Sequence, residues 1–182
     1  MTDAGPNSPR RVDRRRWQKK IADELVNLPR EHEALEYAMS AFGGNFDLKE
    51  LKKALGSDAD IALYSRVQAL ERAVTRVQNI LAELAIAGAK LAGLSLPLIK
   101  TGEADRSFEA LKEAGVIGAS LCRRLRKAQR IRNLIEHDYD KVTAGQLHEL
   151  ADGVRDFAPE FLRPFRDWIE PQLLEIESGG GR

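Results

Sequence analysis

The stretch VQALERAVTRVQNILAELAIAGAKL (residues 67–91) repeats apolar residues at intervals of three and four along its whole length. These positions are Val67, Leu70, Val74, Val77, Leu81, Leu84 and Leu91, with Gly88 in the one remaining slot. Such spacing places them on one face of an α-helix, so the stretch predicts a single long helix with a continuous apolar seam. The seam is compatible with a coiled coil, but one long helix among several shorter ones more often forms the centre of a bundle.

The residues that follow this stretch predict further helices. A short helix closes at Gly115, and the runs after it again repeat apolar residues at helical spacing. The apolar positions of these helices are Phe108, Leu111, Leu121, Leu125, Ala128, Ile131, Ile135, Leu147, Leu150, Val154 and Phe157. Because Pro159 and Pro164 each remove a backbone donor, residues 161–169 are predicted to form a separate or kinked helix ending near Pro171.

The N-terminal part of the chain predicts a smaller helical unit. Apolar periodicity indicates one helix that starts near Arg14 and ends before Pro29, and a second helix that stops at Gly43. Asp47 is placed to cap a short third helix that ends at Gly56. No segment alternates apolar and polar residues as a half-buried strand does, so the predicted fold class is all-α.

The predicted architecture is a helical bundle with a small N-terminal extension. Of the 182 residues, 43% are hydrophobic and 31% are charged, which suits one globular domain plus an extension. We predict a disordered basic arm at 1–13, a helical extension at 14–56, the bundle at 57–177 and a disordered tail at 178–182. Since no apolar run could cross a bilayer or act as a secretory signal, we expect a cytoplasmic protein without membrane contact.

Positive charge is concentrated near the N-terminus. The net charge of +1 provides no overall field for nucleic acid, yet seven basic residues lie between Arg10 and Lys20. This arm is either a solvated tail or an RNA contact in which Arg14, Arg15 and Arg16 bind phosphates.

Three isolated residues and one short stretch favour structural roles. Cys122 is the only cysteine, which excludes an internal disulfide, and it is predicted to be a small core residue. His32 and His148 have no second ligand at helical spacing, so we expect surface positions, no metal site and no cofactor. GSDAD at 56–60 faintly resembles nucleotidyltransferase elements but lacks the strand they need, so a helix cap is the better interpretation.

The stretch RIRNLIEHDYD (residues 130–140) predicts a helix with one strongly polar face. At 100° per residue, the polar side carries Arg132, Asn133, Glu136, His137 and Tyr139. The opposite, buried side carries Ile131, Leu134 and Ile135. These ionisable groups therefore share one surface of one helix.

This polar face has two interpretations. It can be an ordinary solvated surface on which Arg132 and Glu136 form an exposed pair and His137 is incidental. It can instead be a site for a phosphodiester, because a guanidinium binds phosphate through two hydrogen bonds and an imidazole transfers protons near neutral pH. In RNA the 2′-hydroxyl can be the nucleophile, so such a site needs proton transfer and charge stabilisation but no metal.

The pattern Arg132-Asn133-x-x-x-His137-x-Tyr139 resembles the signature of the HEPN superfamily, in the form of its toxins associated with minimal nucleotidyltransferases. The likeness includes the long helix at 60–92, the segment that leads into the motif and the helix that follows it. It implies a HEPN-like bundle that forms a homodimer in which two motif helices meet. It also implies a metal-independent endoribonuclease toxin, with RNA as substrate and a nucleotidyltransferase antitoxin as partner.

The resemblance further implies a role for each motif residue. Arg132 and His137 would be catalytic, Asn133 would hold the geometry, and Tyr139 would receive AMP from the partner. Glu136 stands where the family pattern favours an apolar or small residue; its carboxylate could weaken the hold of Arg132 on phosphate or assist His137 as a proton donor. The alternative function is a non-catalytic HEPN-type module that binds RNA or protein.

Overall fold

The computed structural model of the protein describes residues 11–56, 60–137 and 142–174. These ranges contain six α-helices and no strand, so the all-α prediction is confirmed. The helices are α1 (Arg11–Ser40), α2 (Leu48–Ala54), α3 (Ile61–Leu91), α4 (Glu103–Glu113), α5 (Ala119–His137) and α6 (Ala144–Leu174). Within the same ranges, no helix is both long enough and apolar enough to cross a membrane.

Helix α3 is the centre of the bundle, as its apolar seam predicts. It contacts each of the other five helices, and every residue of the predicted seam is buried. Its N-terminus is capped by Asp60, whose side chain accepts a hydrogen bond of 2.8 Å from the backbone N–H of Leu63. The interpretation of the 56–60 stretch as a helix cap is therefore confirmed at Asp60.

Gly88 allows α3 and α6 to approach closely. A Cβ atom at this position would lie 2.7 Å from Cε2 of Phe165 and 3.1 Å from Trp168. Both distances are shorter than ordinary van der Waals contacts, so only glycine fits without displacement of the aromatic rings.

The prolines do not interrupt the helices in the way that the sequence suggests. Helix α1 begins at Arg11 and passes through Pro29 without a break, and α6 passes through Pro159, Pro164 and Pro171 to Leu174. The prediction of two helices before Gly43 is therefore wrong, and of the two alternatives for residues 161–169, the separate helix is excluded because these residues belong to α6. A proline inside a helix costs on the order of 3 kcal/mol.

Burial on both sides of Pro29, Pro159 and Pro164 offsets that cost. Leu28 and Leu35 lie on either side of Pro29 and are 1% and 0% exposed, so a break would remove an apolar side chain from the core. In α6, Phe161, Phe165 and Ile169 continue the buried stripe through the prolines. Tertiary packing therefore overrides the local signal.

The N-terminal helices share one hydrophobic core with the rest of the bundle. His32 Nε2 lies 2.8 Å from the carbonyl oxygen of Arg155, and His148 Nε2 lies 2.7 Å from that of Phe46. The His148 ring also stacks on Phe46, with 4.5 Å between the ring centroids. Both histidines are half-buried, so the prediction of surface positions is wrong, and both fasten the N-terminal region to α6.

Candidate active site

The candidate residues occupy the last two turns of α5. Asn133, Glu136 and His137 are exposed, whereas Ile131 is buried and Ile135 packs against the core. This confirms the polar face expected from ideal helix geometry.

Two predictions for this stretch need comment. Leu134, predicted to be buried, is only half-buried and so leaves apolar surface beside the polar face. Tyr139 lies outside the described residues, so its predicted position stays untested.

Three acceptor oxygens, one on α3 and two on α5, hold the Arg132 guanidinium. Nε donates to Oδ1 of Asn79 at 2.6 Å, and Nη1 donates to Oδ1 of Asn133 at 3.0 Å. Nη2 lies 2.5 Å from Oε1 of Glu136, one turn further along α5. The side chain is only 18% exposed, so these charge-assisted bonds fix its position on the surface.

A chain of side-chain amides orients Asn133 from the core outward. Gln78 is fully buried on α3, and its Nε2 donates to Oε1 of Gln129 at 3.1 Å and to the Leu125 carbonyl at 3.4 Å. Gln129 Nε2 in turn donates to Oδ1 of Asn133 at 3.1 Å. Because that oxygen accepts from both Gln129 and Arg132, the NH₂ group of Asn133 faces away from Arg132 and can donate elsewhere.

Sequence reasoning missed Gln78 and Asn79. The signal was present, because two adjacent amides interrupt the apolar part of α3 between Val77 and Ile80. A buried amide costs free energy unless it is hydrogen-bonded, so its place beside the seam indicates a partner on another helix. Nothing in the sequence identifies that partner as α5.

His137 and Arg132 lie on different sectors of the same helix. His137 lies five positions after Arg132, which corresponds to about 140° around the axis. His137 is the last residue of α5 and is exposed, and it forms no side-chain hydrogen bond within the described ranges. One copy of the helix therefore presents an anchored guanidinium and, at an angle to it, an imidazole that is open to a substrate.

The structure does not bring Arg15 and Arg16, two of the predicted RNA contacts, to this site. Arg15 and Arg16 are exposed on the first turns of α1, and the Arg16 guanidinium lies 5.1 Å from the Trp17 ring. Lys90 lies 4.6 Å from the same ring, which places this end of α1 beside the end of α3. Lys90 and Asn79 are separated by about 16 Å along the α3 axis.

Two other candidate chemistries find no support in the described ranges. The described ranges contain no group of three or more His, Cys, Asp or Glu residues arranged to hold a metal ion. Cys122 is buried, as predicted, and this burial raises the pKa of its thiol to about 11. A thiol in that environment stays protonated at neutral pH and is a poor nucleophile.

The all-α bundle, with Arg132 and His137 spaced as Arg-x4-His and Asn133 bound to that arginine, agrees with the resemblance to the HEPN superfamily. Over residues 48–162, well over half of the chain, the sequence matches the family model described as "HepT-like: Ribonuclease HepT-like". The chain therefore belongs to the HepT-like ribonuclease family. No curated protein and no solved structure matches it.

Proposed function

We propose that this protein is a metal-independent endoribonuclease in which Arg132 and His137 are catalytic and Asn133 is a positioning residue. The observation that carries the proposal is the anchored Arg132 guanidinium. Asn79 and Asn133 hold this guanidinium, and the same helix presents His137 about 140° further around its axis. A fixed cation suits a reaction whose transition state concentrates negative charge on phosphate oxygens.

The reaction follows from the chemistry of RNA. The 2′-oxygen attacks the adjacent phosphorus and forms a new P–O bond, while the bond from phosphorus to the 5′-oxygen breaks. One proton leaves the 2′-hydroxyl and another reaches the departing 5′-oxygen; His137 is suited to one of these transfers. Arg132 stabilises the charge on the non-bridging oxygens. The products are a 2′,3′-cyclic phosphate and a 5′-hydroxyl.

The angle between the two groups supports catalysis by a homodimer. With about 140° between them on one helix, Arg132 and His137 do not both face one phosphate. Two α5 helices related by a two-fold axis would place the arginine of each copy opposite the histidine of the other. The half-buried Leu134 supplies apolar surface at the same place for such a contact.

The experiment incubates purified protein with single-stranded RNA in EDTA. Cleavage that persists in EDTA, leaves a cyclic phosphate and is lost in both Arg132→Ala and His137→Ala supports the proposal. His137 is exposed, so its variant should keep its circular dichroism and melting temperature. Arg132 is 18% exposed and bonded to Asn79, so its variant should stay helical but melt at a somewhat lower temperature. RNA with a 2′-deoxy substitution at the cleavage site is the chemical control and should resist cleavage.

We further propose that the protein is a cytoplasmic toxin that a nucleotidyltransferase antitoxin neutralises by attaching AMP to Tyr139. An adenylyl group carries a phosphodiester anion, which would compete with RNA for Arg132. Tyr139→Phe should therefore remain toxic in cells that express the partner. If the partner neutralises that variant fully, AMP transfer to Tyr139 is not the mechanism.

The second candidate is a non-catalytic module that binds RNA or protein. The observation in its favour is Glu136, whose carboxylate already occupies Nη2 of Arg132. RNA binding that depends on Arg132, with no cleavage by the unmodified protein at any pH tested, would support this alternative.

A further inference from the structure

Two grooves meet on the surface of α3. The larger, of about 920 Å³, lies between α1 and α3 and is lined by small alanine side chains. Arg66, Arg72 and Arg76 contribute to it from α3, and Tyr37, which is 81% exposed, contributes from α1. This groove therefore combines three cations with one exposed aromatic ring.

The smaller groove, of about 390 Å³, lies between α3 and α5 and contains both Asn79 and Glu136, the partners of Arg132. Arg72 and Arg76 line this groove as well. The two grooves thus adjoin at Arg72 and Arg76, and their lining extends from Tyr37 to Asn79 and Glu136.

The surface along this path is positively charged. Arg66 and Arg72 are exposed, and neither forms an ion pair within the described ranges. Arg76 lies 4.0 Å from Glu31, but that carboxylate also pairs with Arg30 at 3.0 Å, so their charges do not cancel. Glu71 lines the smaller groove but is 6% exposed, so it contributes little to the surface.

We propose that these joined grooves bind a single strand of RNA and deliver it to Arg132. Exposed guanidiniums bind backbone phosphates through paired hydrogen bonds, which accounts for the row of arginines. An exposed tyrosine ring can stack on the face of an unpaired base. Within a duplex that face is covered by the neighbouring bases, so the ring favours a single strand. The proposal rests on the proposed function in taking RNA as the substrate.

The path is longer than the catalytic contact. From Arg66 to Asn79, α3 rises by about 20 Å, so several nucleotides on one side of the scissile bond would contact it. The position of Arg72 and Arg76 favours RNA over a protein partner, because these two guanidiniums line both grooves and the smaller groove contains Asn79 and Glu136, the partners of Arg132.

The test measures binding separately from cleavage. The full chain carrying His137→Ala is titrated against a short, fluorescein-labelled single-stranded RNA by fluorescence anisotropy in a KCl series. On this background, Arg72→Gln with Arg76→Gln is compared with Arg163→Gln with Arg166→Gln, which removes equal charge from exposed positions of α6. The first pair should lower affinity about tenfold and reduce the slope of log K against log salt by about 1.4. The second pair should change neither value appreciably.

Tyr37 supplies an independent variant that leaves the charge unchanged. Tyr37→Ala should weaken binding about fivefold with an unchanged salt slope, and Tyr37→Phe should bind as the parent does. An RNA duplex of the same sequence should compete poorly. Circular dichroism confirms that each variant is folded.

If both pairs of arginine substitutions lower RNA affinity equally, binding is a nonspecific attraction between charges, and the proposal that the grooves bind RNA is wrong. An unchanged RNA affinity together with a lower oligomeric mass for the Arg72/Arg76 variant would make the groove a protein interface, which also overturns it. Absence of cleavage by unmodified protein, with the predicted binding differences intact, would refute the ribonuclease proposal alone. Cleavage by the unmodified protein, without the predicted difference in RNA affinity between the two arginine pairs, would refute only the proposal that the grooves bind RNA.

Discussion

Replacement of Glu136 by glutamine should make the proposed ribonuclease more active. Glu136 neutralises the guanidinium of Arg132 that RNA phosphate needs, and Arg132 retains its other two partners, Asn79 and Asn133, in the variant. The substitution keeps the size and hydrogen-bonding capacity of the side chain but removes its charge. Substrate phosphate then no longer competes with a resident anion.

The exposure of the pair sets the magnitude. The side chains of Arg132 and Glu136 are 18% and 33% exposed, so solvent screens their attraction in part. Exposed pairs contribute up to about 1 kcal/mol, and release of that energy corresponds to about a fivefold increase in kcat/KM. Because the phosphate gains this contact on binding and keeps it in the transition state, most of the change should appear as a lower KM.

The assay follows initial rates of cleavage of a fluorogenic RNA at several substrate concentrations. Glu149→Gln is the matched control. It removes the same charge from an exposed ion pair whose cation, Lys127, lies on α5 as Arg132 does. That control should leave kcat/KM nearly unchanged. A loss of activity in Glu136→Gln at an unchanged melting temperature would refute the reasoning. The carboxylate would then be needed to orient Arg132 or to assist His137.

Three further predictions concern the support of the site and the core. Asn79→Ala should lower kcat at least about tenfold with little change in melting temperature, because Arg132 loses the contact that ties it to α3; steady-state kinetics and thermal melts check this. Gly88→Ala should destabilise the fold by about 1–2 kcal/mol in urea unfolding, whereas Gly145→Ala, exposed in α6 and free of close contacts, should stabilise it by roughly 0.5 kcal/mol. Because its thiol has a pKa of about 11, Cys122 should resist labelling at pH 8 in the native protein and react fully in denaturant; rapid native labelling contradicts its burial.

The sequence predicts the helices well because helical periodicity reflects burial directly. The seam of α3 and the cap at Asp60 both follow from local patterns. The prolines mislead because their cost is local, whereas the packing that offsets it comes from other helices. At Pro29, for example, the flanking residues Leu28 and Leu35 stay buried in the shared core.

The candidate site is predictable in part for the same reason. The exposure of Asn133, Glu136 and His137 on α5, with Arg132 only partly exposed, depends mainly on helix geometry, and the structure confirms it. The contact with Asn79 depends on how α3 and α5 pack, which no local pattern encodes. Residues that act through a second helix are therefore the ones that sequence reasoning misses.

The two halves of the site differ in how firmly the fold holds them. Arg132 is connected through Asn79 and the amides of Gln78 and Gln129 to α3, the most enclosed helix of the bundle. His137 ends α5 at an exposed position and forms no side-chain hydrogen bond within the described ranges. Arg132, the proposed phosphate-binding group, is thus preorganised by the core, whereas His137, the proposed proton-transfer group, needs a partner surface or substrate to fix its orientation. For the proposed homodimer, this division predicts that the dependence on a second copy lies at the histidine. Dilution below the dimer dissociation constant should accordingly lower kcat more than it lowers the affinity for RNA.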